Sequence, residues 1–137
     1  MISSKKEWLS EASELARMNW WTIEYGLVGD LSNPKIYGAG LLSSVSESVS
    51  CLKNNVKKIP ISLDCIKQDY NITKPQPQLF VTESFKNLKN ILTDYNRTMA
   101  YVAGGKSAVE KAILSENTTT TVFDSGLQVS GVLNKCI

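Results

Sequence analysis

The stretch Asn19-Trp20-Trp21-Thr22-Ile23-Glu24-Tyr25-Gly26-Leu27, which reads NWWTIEYGL, decides how the rest of this sequence is understood. It places one carboxylate, Glu24, at the end of an otherwise apolar segment with two adjacent tryptophans. A charge buried there without a partner costs several kcal/mol, so something must compensate it. A neighbouring lysine, arginine or backbone donor is one answer. A metal is the other, because carboxylate is among the hard ligands that suit ferrous iron. Local chemistry leaves both open. Upstream, Ser4 and Glu7 have capping-box spacing, and Trp8, Ala12, Leu15, Ala16, Trp20 and Ile23 recur on one broad face. That pattern predicts a helix over residues 5–24. Downstream, residues 25–28 leave the helix extended, Gly29 to Pro34 is rich in turn formers, and Lys35-Ile36-Tyr37 returns as a second strand.

Beyond this hairpin, Gly38-Ala39-Gly40 carries almost no side chain, so another segment or a ligand can approach its backbone closely. Ser44 and Glu47 repeat the capping-box spacing and open a helix over 45–54. Residues 58–61 read as a short strand, 62–68 as a short helix, 70–73 as extended, 74–77 as an irregular loop and 79–81 as another strand. Ser84 caps a longer helix on which Phe85, Leu88, Ile91, Leu92 and Tyr95 keep helical spacing. From residue 97 the texture changes. Residues 99–103 read as a strand, Gly104-Gly105 as a turn, 107–115 as a helix with Ser107 as its N-cap, and 118–123 and 127–133 as two β-prone runs. The expected fold class is mainly α with small antiparallel β elements, an α+β arrangement. Residues 1–96 form one region and 97–137 a small, incomplete α+β extension.

Composition narrows the function classes. With 137 residues, 42% hydrophobic and 20% charged, the chain has the make-up of an ordinary globular domain. A formal charge of +2 from 15 basic and 13 acidic residues is too weak and dispersed for a nucleic-acid footprint. There is no long apolar run or signal-peptide pattern, so neither a membrane nor a secretory route is expected. Cys51, Cys65 and Cys136 show no CxxC spacing, which suits a reduced, cytoplasmic setting. Histidine is absent from all 137 residues. Its absence removes most zinc sites, the Ser-His-Asp and Cys-His nucleophile systems, and any imidazole proton shuttle.

NWWTIEYGL, followed by YGAGLLSSVSE at residues 37–47 and QPQLFVTESF at 76–85, resembles the catalytic domain of the biopterin-dependent aromatic amino acid hydroxylases, with bacterial phenylalanine 4-hydroxylase-like proteins the nearest. The likeness runs in order over residues 8–95. It implies a partial catalytic domain and a mononuclear Fe(II) held by two histidines and one glutamate, with positions left open for dioxygen. Glu24 stands at the glutamate's place, and the histidine pair is expected upstream of Met1. The resemblance further implies that Trp20 and Tyr25 line the substrate pocket and that Ala16 and Asn19 lie near the tetrahydrobiopterin. Gly40 and Ser43 would lie at the pocket floor, where the family's serine bonds an iron-ligating histidine. Asn19 departs from the family's tyrosine, which puts an aromatic contact at that position in doubt. Tyr70 matches a tyrosine at the active-site mouth, although Lys74-Pro75 alters the loop after it. Ser44 and Glu47 read first as helix capping.

By that resemblance the implied partners are a free aromatic amino acid, phenylalanine first, and dioxygen, with the pterin supplying two electrons. One carboxylate cannot retain ferrous iron alone, so the 137 residues by themselves are expected to be inert. The competing class is a non-catalytic binding or structural module that keeps a remnant of the fold. A third reading takes AYVAGGKS, residues 100–107, as a relaxed phosphate loop with Lys106 on phosphates and Ser107 on magnesium. Too few residues follow for the parallel sheet such folds need, and a plain glycine turn capped by Ser107 is preferred.

Overall fold

The computed structural model describes residues 8–136. They fall into two compact units, one spanning Glu11–Thr93 and one made by residues 8–10 together with the residues from Asp94 onward. The Ser4/Glu7 capping box lies outside the described residues.

The first unit begins with α1 (Glu11–Asn19), shorter than the helix expected over 5–24. It does not simply continue to Glu24. Residues Trp20–Glu24 form a π-helical turn, in which Tyr25 N–H donates to the Trp20 carbonyl at 2.9 Å and Thr22 Oγ1 donates to the Met18 carbonyl at 2.6 Å. A π turn winds more residues per turn than an α-helix, so it rotates the face that follows. Met18, just before the turn, and Trp21 and Thr22, within it, are buried at 1%, 0% and 1% exposure. Leu15 and Ile23, assigned to the apolar face by simple periodicity, point outward at 48% and 51%.

Four strands form a mixed sheet in the order β2-β1-β4-β3. β1 (Leu27–Asp30) pairs antiparallel with β2 (Asn33–Ile36), Leu27 opposite Ile36. β4 (Gln78–Thr82) lies parallel to β1 on one side, with Leu27 opposite Val81, and parallel to β3 (Lys57–Pro60) on the other, with Ile59 opposite Phe80. The α+β class holds, and two parallel pairings join the expected antiparallel one. The reason is readable in β4: Leu79, Phe80, Val81 and Thr82 are buried without alternation, as in a strand covered on both faces, the usual condition of parallel strands. The Trp21 ring meets Phe80 edge-on at 5.3 Å, and its Nε1 donates to the Gln68 carbonyl at 3.0 Å. Cys65 Sγ lies 3.7 Å from Met18 Sδ. These contacts tie the α1 region to the sheet and to the 3-10 turn Leu63–Lys67. Residues 70–73, expected to be extended, take no strand pairing.

Two short helices follow β2: α2 (Ala39–Ser43) and α3 (Val45–Ser50), the second ending short of the predicted 54. α4 (Phe85–Thr98) starts as predicted, with Asn87 N–H donating to Ser84 Oγ at 3.1 Å.

In the second unit the predicted strand at 99–103 is a helix, α5 (Ala100–Ala103). Its amides are satisfied locally, Ala103 N–H by the Met99 carbonyl at 2.9 Å and Gly104 N–H by the Ala100 carbonyl at 3.0 Å. Among the described residues no neighbouring strand offers a ladder instead. Gly104 and Gly105, both with left-handed φ near 59° and 56°, reverse the chain into α6 (Gly105–Ser115). Gly104 takes the N-cap, so Ser107 lies inside the helix and caps nothing. Lys106 pairs along α6 with Glu110 at 3.8 Å. A helix therefore precedes the glycine turn where a phosphate loop needs a strand, and that reading fails. β5 (Thr118–Val122) and β6 (Gln128–Val132) close the unit as an antiparallel hairpin, as expected. Among the described residues, no helix is long and apolar enough to cross a membrane.

Candidate functional site

The π turn delivers Glu24 to the point where the chain leaves the first helical segment, and the segment after β2 crosses directly over it. Gly38 and Gly40 make this crossing possible. A Cβ on Gly38 would sit 2.5 Å from the Glu24 carbonyl oxygen and 2.6 Å from Gly26 N. A Cβ on Gly40 would sit 3.0 Å from the same carbonyl, 3.1 Å from Glu24 Oε2 and 3.1 Å from Tyr25 Cε2. The close approach expected of Gly38-Ala39-Gly40 is thus made by Glu24, Tyr25 and Gly26, and the Glu24 carboxylate is aimed at the first turn of α2.

Glu24 is half-buried, and none of the ion pairs among the described residues involves it. Arg17, the nearest basic residue in sequence, is committed to Asp69 and to the Ile66 carbonyl at 3.2 Å. No group of three histidine, cysteine, aspartate or glutamate side chains able to hold a metal occurs among the described residues. Glu24 therefore offers one hard oxygen donor rather than a complete site.

Around it the aromatic side chains form a stack of three rings. Trp20 lies between Tyr25, at 4.5 Å and 15°, and Tyr70, at 4.3 Å and 12°. Tyr70 also meets Trp21 edge-on at 6.4 Å. The Trp20 Nε1 atom is buried with no hydrogen-bond partner among the described residues. Tyr25 is anchored at its other end: its hydroxyl donates to Glu47 Oε2 at 3.1 Å. Burial, that bond and the Glu47 and Glu24 carboxylates push its ionisation up to about 12. Beyond the Tyr25–Glu47 pair opens a cleft of about 310 Å³, whose walls include Leu41, Cys51, Gln76 and Leu79.

Of the residues singled out in the sequence, Trp20, Glu24, Tyr25 and Gly40 are brought together. Ser43 is one turn along α2, exposed, its hydroxyl donating to the Gly40 carbonyl at 2.8 Å. Ala16 and Asn19 lie on the exposed side of α1. Ser44 caps α3 through the Glu47 amide at 3.4 Å, as its spacing suggested. The Glu47 side chain does more than capping implies, since it turns to Tyr25. That contact bridges 22 positions and leaves no signature in sequence spacing. Trp21, adjacent to Trp20 and indistinguishable from it by composition, is core.

Comparison with known proteins adds independent weight. The family model for biopterin-dependent aromatic amino acid hydroxylase matches residues 7–104. Phenylalanine-4-hydroxylase of Bos taurus is 39% identical over 87 residues, 63% of this chain and 19% of that protein. The Chromobacterium violaceum phenylalanine-4-hydroxylase is 42% identical over 76 residues, 54% of this chain and 26% of that protein. The iron- and phenylalanine-bound crystal structure of the C. violaceum enzyme aligns with a TM-score of 0.56 at 34% identity, covering 63% of this chain and 35% of that one. A structure of the same enzyme with iron(III) and 7,8-dihydrobiopterin gives 0.56 at 34%, covering 66% and 34%. The chain thus spans only a minor part of the length of these relatives. The match takes in both the Glu24 turn and the glycine crossing that faces it, and on that ground the chain belongs to the biopterin-dependent aromatic amino acid hydroxylase family.

Proposed function

We propose that this chain contributes one wall and one metal ligand to a ring-hydroxylating monooxygenase that uses Fe(II), tetrahydrobiopterin and dioxygen, with free phenylalanine as substrate. The observation that carries the reading is the Glu24 carboxylate, half-buried against Gly38–Gly40 and outside every ion pair among the described residues. A carboxylate so placed is suited to a hard cation. In this reading two histidines from protein outside these 137 residues complete the ligand set, because none is present here. Bound iron and pterin would supply the activation of dioxygen and the reducing electrons. The residues of this chain do the holding and positioning. Trp20 and Tyr25 supply an aromatic, apolar wall for the substrate ring. Gly40 keeps the space before Glu24 open, and Ser43 orients a ligand's ring from the floor.

Ala16 and Asn19, on the exposed side of α1, are read as facing the pterin once the remaining protein covers that surface, and Leu15 and Ile23 as apolar contacts for the same cover. Residues 1–96 belong to the catalytic domain and 97–137 to an extension in this proposal. The setting is cytoplasmic and reducing, and the partners are small molecules rather than nucleic acid or membrane. The 137 residues alone retain no iron usefully and are inert. The test is ring hydroxylation of phenylalanine by the intact hydroxylase carrying these residues, assayed with Fe(II), tetrahydrobiopterin and air. Tyrosine formation that disappears in Glu24→Ala supports the reading. Undiminished turnover in that variant removes Glu24 from the chemistry.

A further inference from the structure

The three-ring stack raises a question of occupancy. Both faces of Trp20 are covered, by Tyr25 at 4.5 Å and by Tyr70 at 4.3 Å, each nearly parallel to it. A substrate ring that uses Trp20 as a wall must take one of these faces. The two covering rings are not held alike. Tyr25 follows the π turn directly, lies under Gly40 and has its hydroxyl bonded to Glu47. Tyr70 sits in the irregular stretch between the 3-10 turn and β4, followed by exposed Asn71, Ile72, Thr73, Lys74 and Pro75. Its ring stacks on Trp20 and meets Trp21 edge-on. Ring-on-ring stacking is chemically indifferent to whether the ring belongs to the chain or to a ligand. The indole nitrogen of Trp20, buried without a partner in this arrangement, shows that the stack leaves a polar group unsatisfied.

We propose that Tyr70 is a specificity-determining residue that acts as an internal stand-in for the substrate ring, covering Trp20 until an aromatic amino acid displaces it. The proposal rests on the reading of Trp20 as a substrate wall. It adds that binding is a competition between two rings for one indole face, so the apparent affinity is lowered by the fraction of molecules in which Tyr70 holds that face. A saturated side chain of equal size lacks the ring's quadrupole and competes poorly.

The experiment is equilibrium binding of L-phenylalanine and of L-cyclohexylalanine to the intact hydroxylase without dioxygen, for wild type, Tyr70→Phe, Tyr70→Leu and Tyr70→Ala. Tyr70→Leu keeps bulk over the Trp21 edge should the alanine variant fail to fold. The expected result is phenylalanine binding tightened about two- to tenfold in Tyr70→Leu and Tyr70→Ala, the range an aromatic pair commands. Tyr70→Phe should stay near wild type, and wild type should prefer phenylalanine to cyclohexylalanine. Weaker or unchanged phenylalanine binding in both Tyr70→Leu and Tyr70→Ala, with wild type binding normally, overturns the displacement while leaving the proposed function intact. No binding of phenylalanine by wild type contradicts the proposed function and the displacement together.

Discussion

The Glu11–Thr93 unit and the unit from Asp94 onward are built on different principles. The first has a core drawn from distant parts of the chain: Met18 and Trp21 from α1 and its π turn, Leu27 from β1, Leu41 from α2, Cys65 from the 3-10 turn and Leu79 from β4 are each 2% exposed or less. The second joins residues 8–10 to two helices linked at Gly104-Gly105 and to a hairpin in which every residue of β6 is exposed. Val122, Phe123, Leu127, Val129 and Val132 of the hairpin region are all more than half exposed. A two-stranded hairpin is marginal by itself. The difference teaches where a site can be held. A carboxylate and three stacked rings need a frame that several separate segments fix at once, and the buried core of the first unit provides it.

Substitutions should break the first unit and barely touch the second. Trp21→Ala removes a fully buried ring, its edge contact with Phe80 and its bond to the Gln68 carbonyl. A loss of about 3–5 kcal/mol is expected, seen in urea denaturation of the intact protein as a lower midpoint. Gly38→Ala drives a methyl group into the Glu24 and Gly26 backbone. It should cost about 1–3 kcal/mol by overpacking and should disturb the Glu24 position even where the chain still folds. In the hairpin, Val129→Ala at 52% exposure should change stability by less than about 0.5 kcal/mol. A Val129→Ala cost equal to that of Trp21→Ala would erase the distinction between the units.

Alkaline pH offers a gentler probe of the same frame. Burial first, with nearby negative charge adding to it, pushes both Tyr25 and Tyr37 up to about 12 in the folded chain, against about 10 unfolded. Between those values the unfolded chain has released protons that the folded chain keeps. Their contribution is therefore complete below about pH 10 and is lost as pH rises toward about 12. Urea midpoints should fall between about pH 10 and about pH 12, and Tyr25→Phe should flatten that fall. An unchanged slope in the variant would mean that Tyr25 is not shielded as described.

The sequence made the local features readable and hid the non-local ones. Ser44 and Ser84 cap helices where their spacing placed them, and the two β-prone terminal runs pair as strands. The segment NWWTIEYGL set Trp20, Glu24 and Tyr25 close to the glycine crossing. It did not announce the π turn, which decides that Trp21 and not Ile23 enters the core. The parallel pairing of β4 with β1 and β3 depends on segments some twenty to fifty positions away, and only the unbroken apolar run of β4 hinted at it. The contact between Tyr25 and Glu47 was hidden because a glutamate three residues after a serine already had a local explanation. Residues 99–103 misled for the converse reason: apolar and short, they fit either periodicity, and the local carbonyls decided.

The central claim is that Glu24 holds metal in the assembled enzyme. The direct measurement is the iron content of the intact hydroxylase after loading with Fe(II) and exhaustive dialysis, comparing wild type with Glu24→Ala and with Glu83→Ala, an exposed carboxylate outside the site. Near-stoichiometric iron is predicted in wild type and Glu83→Ala and a near-complete loss in Glu24→Ala; equal iron in all three would contradict the account.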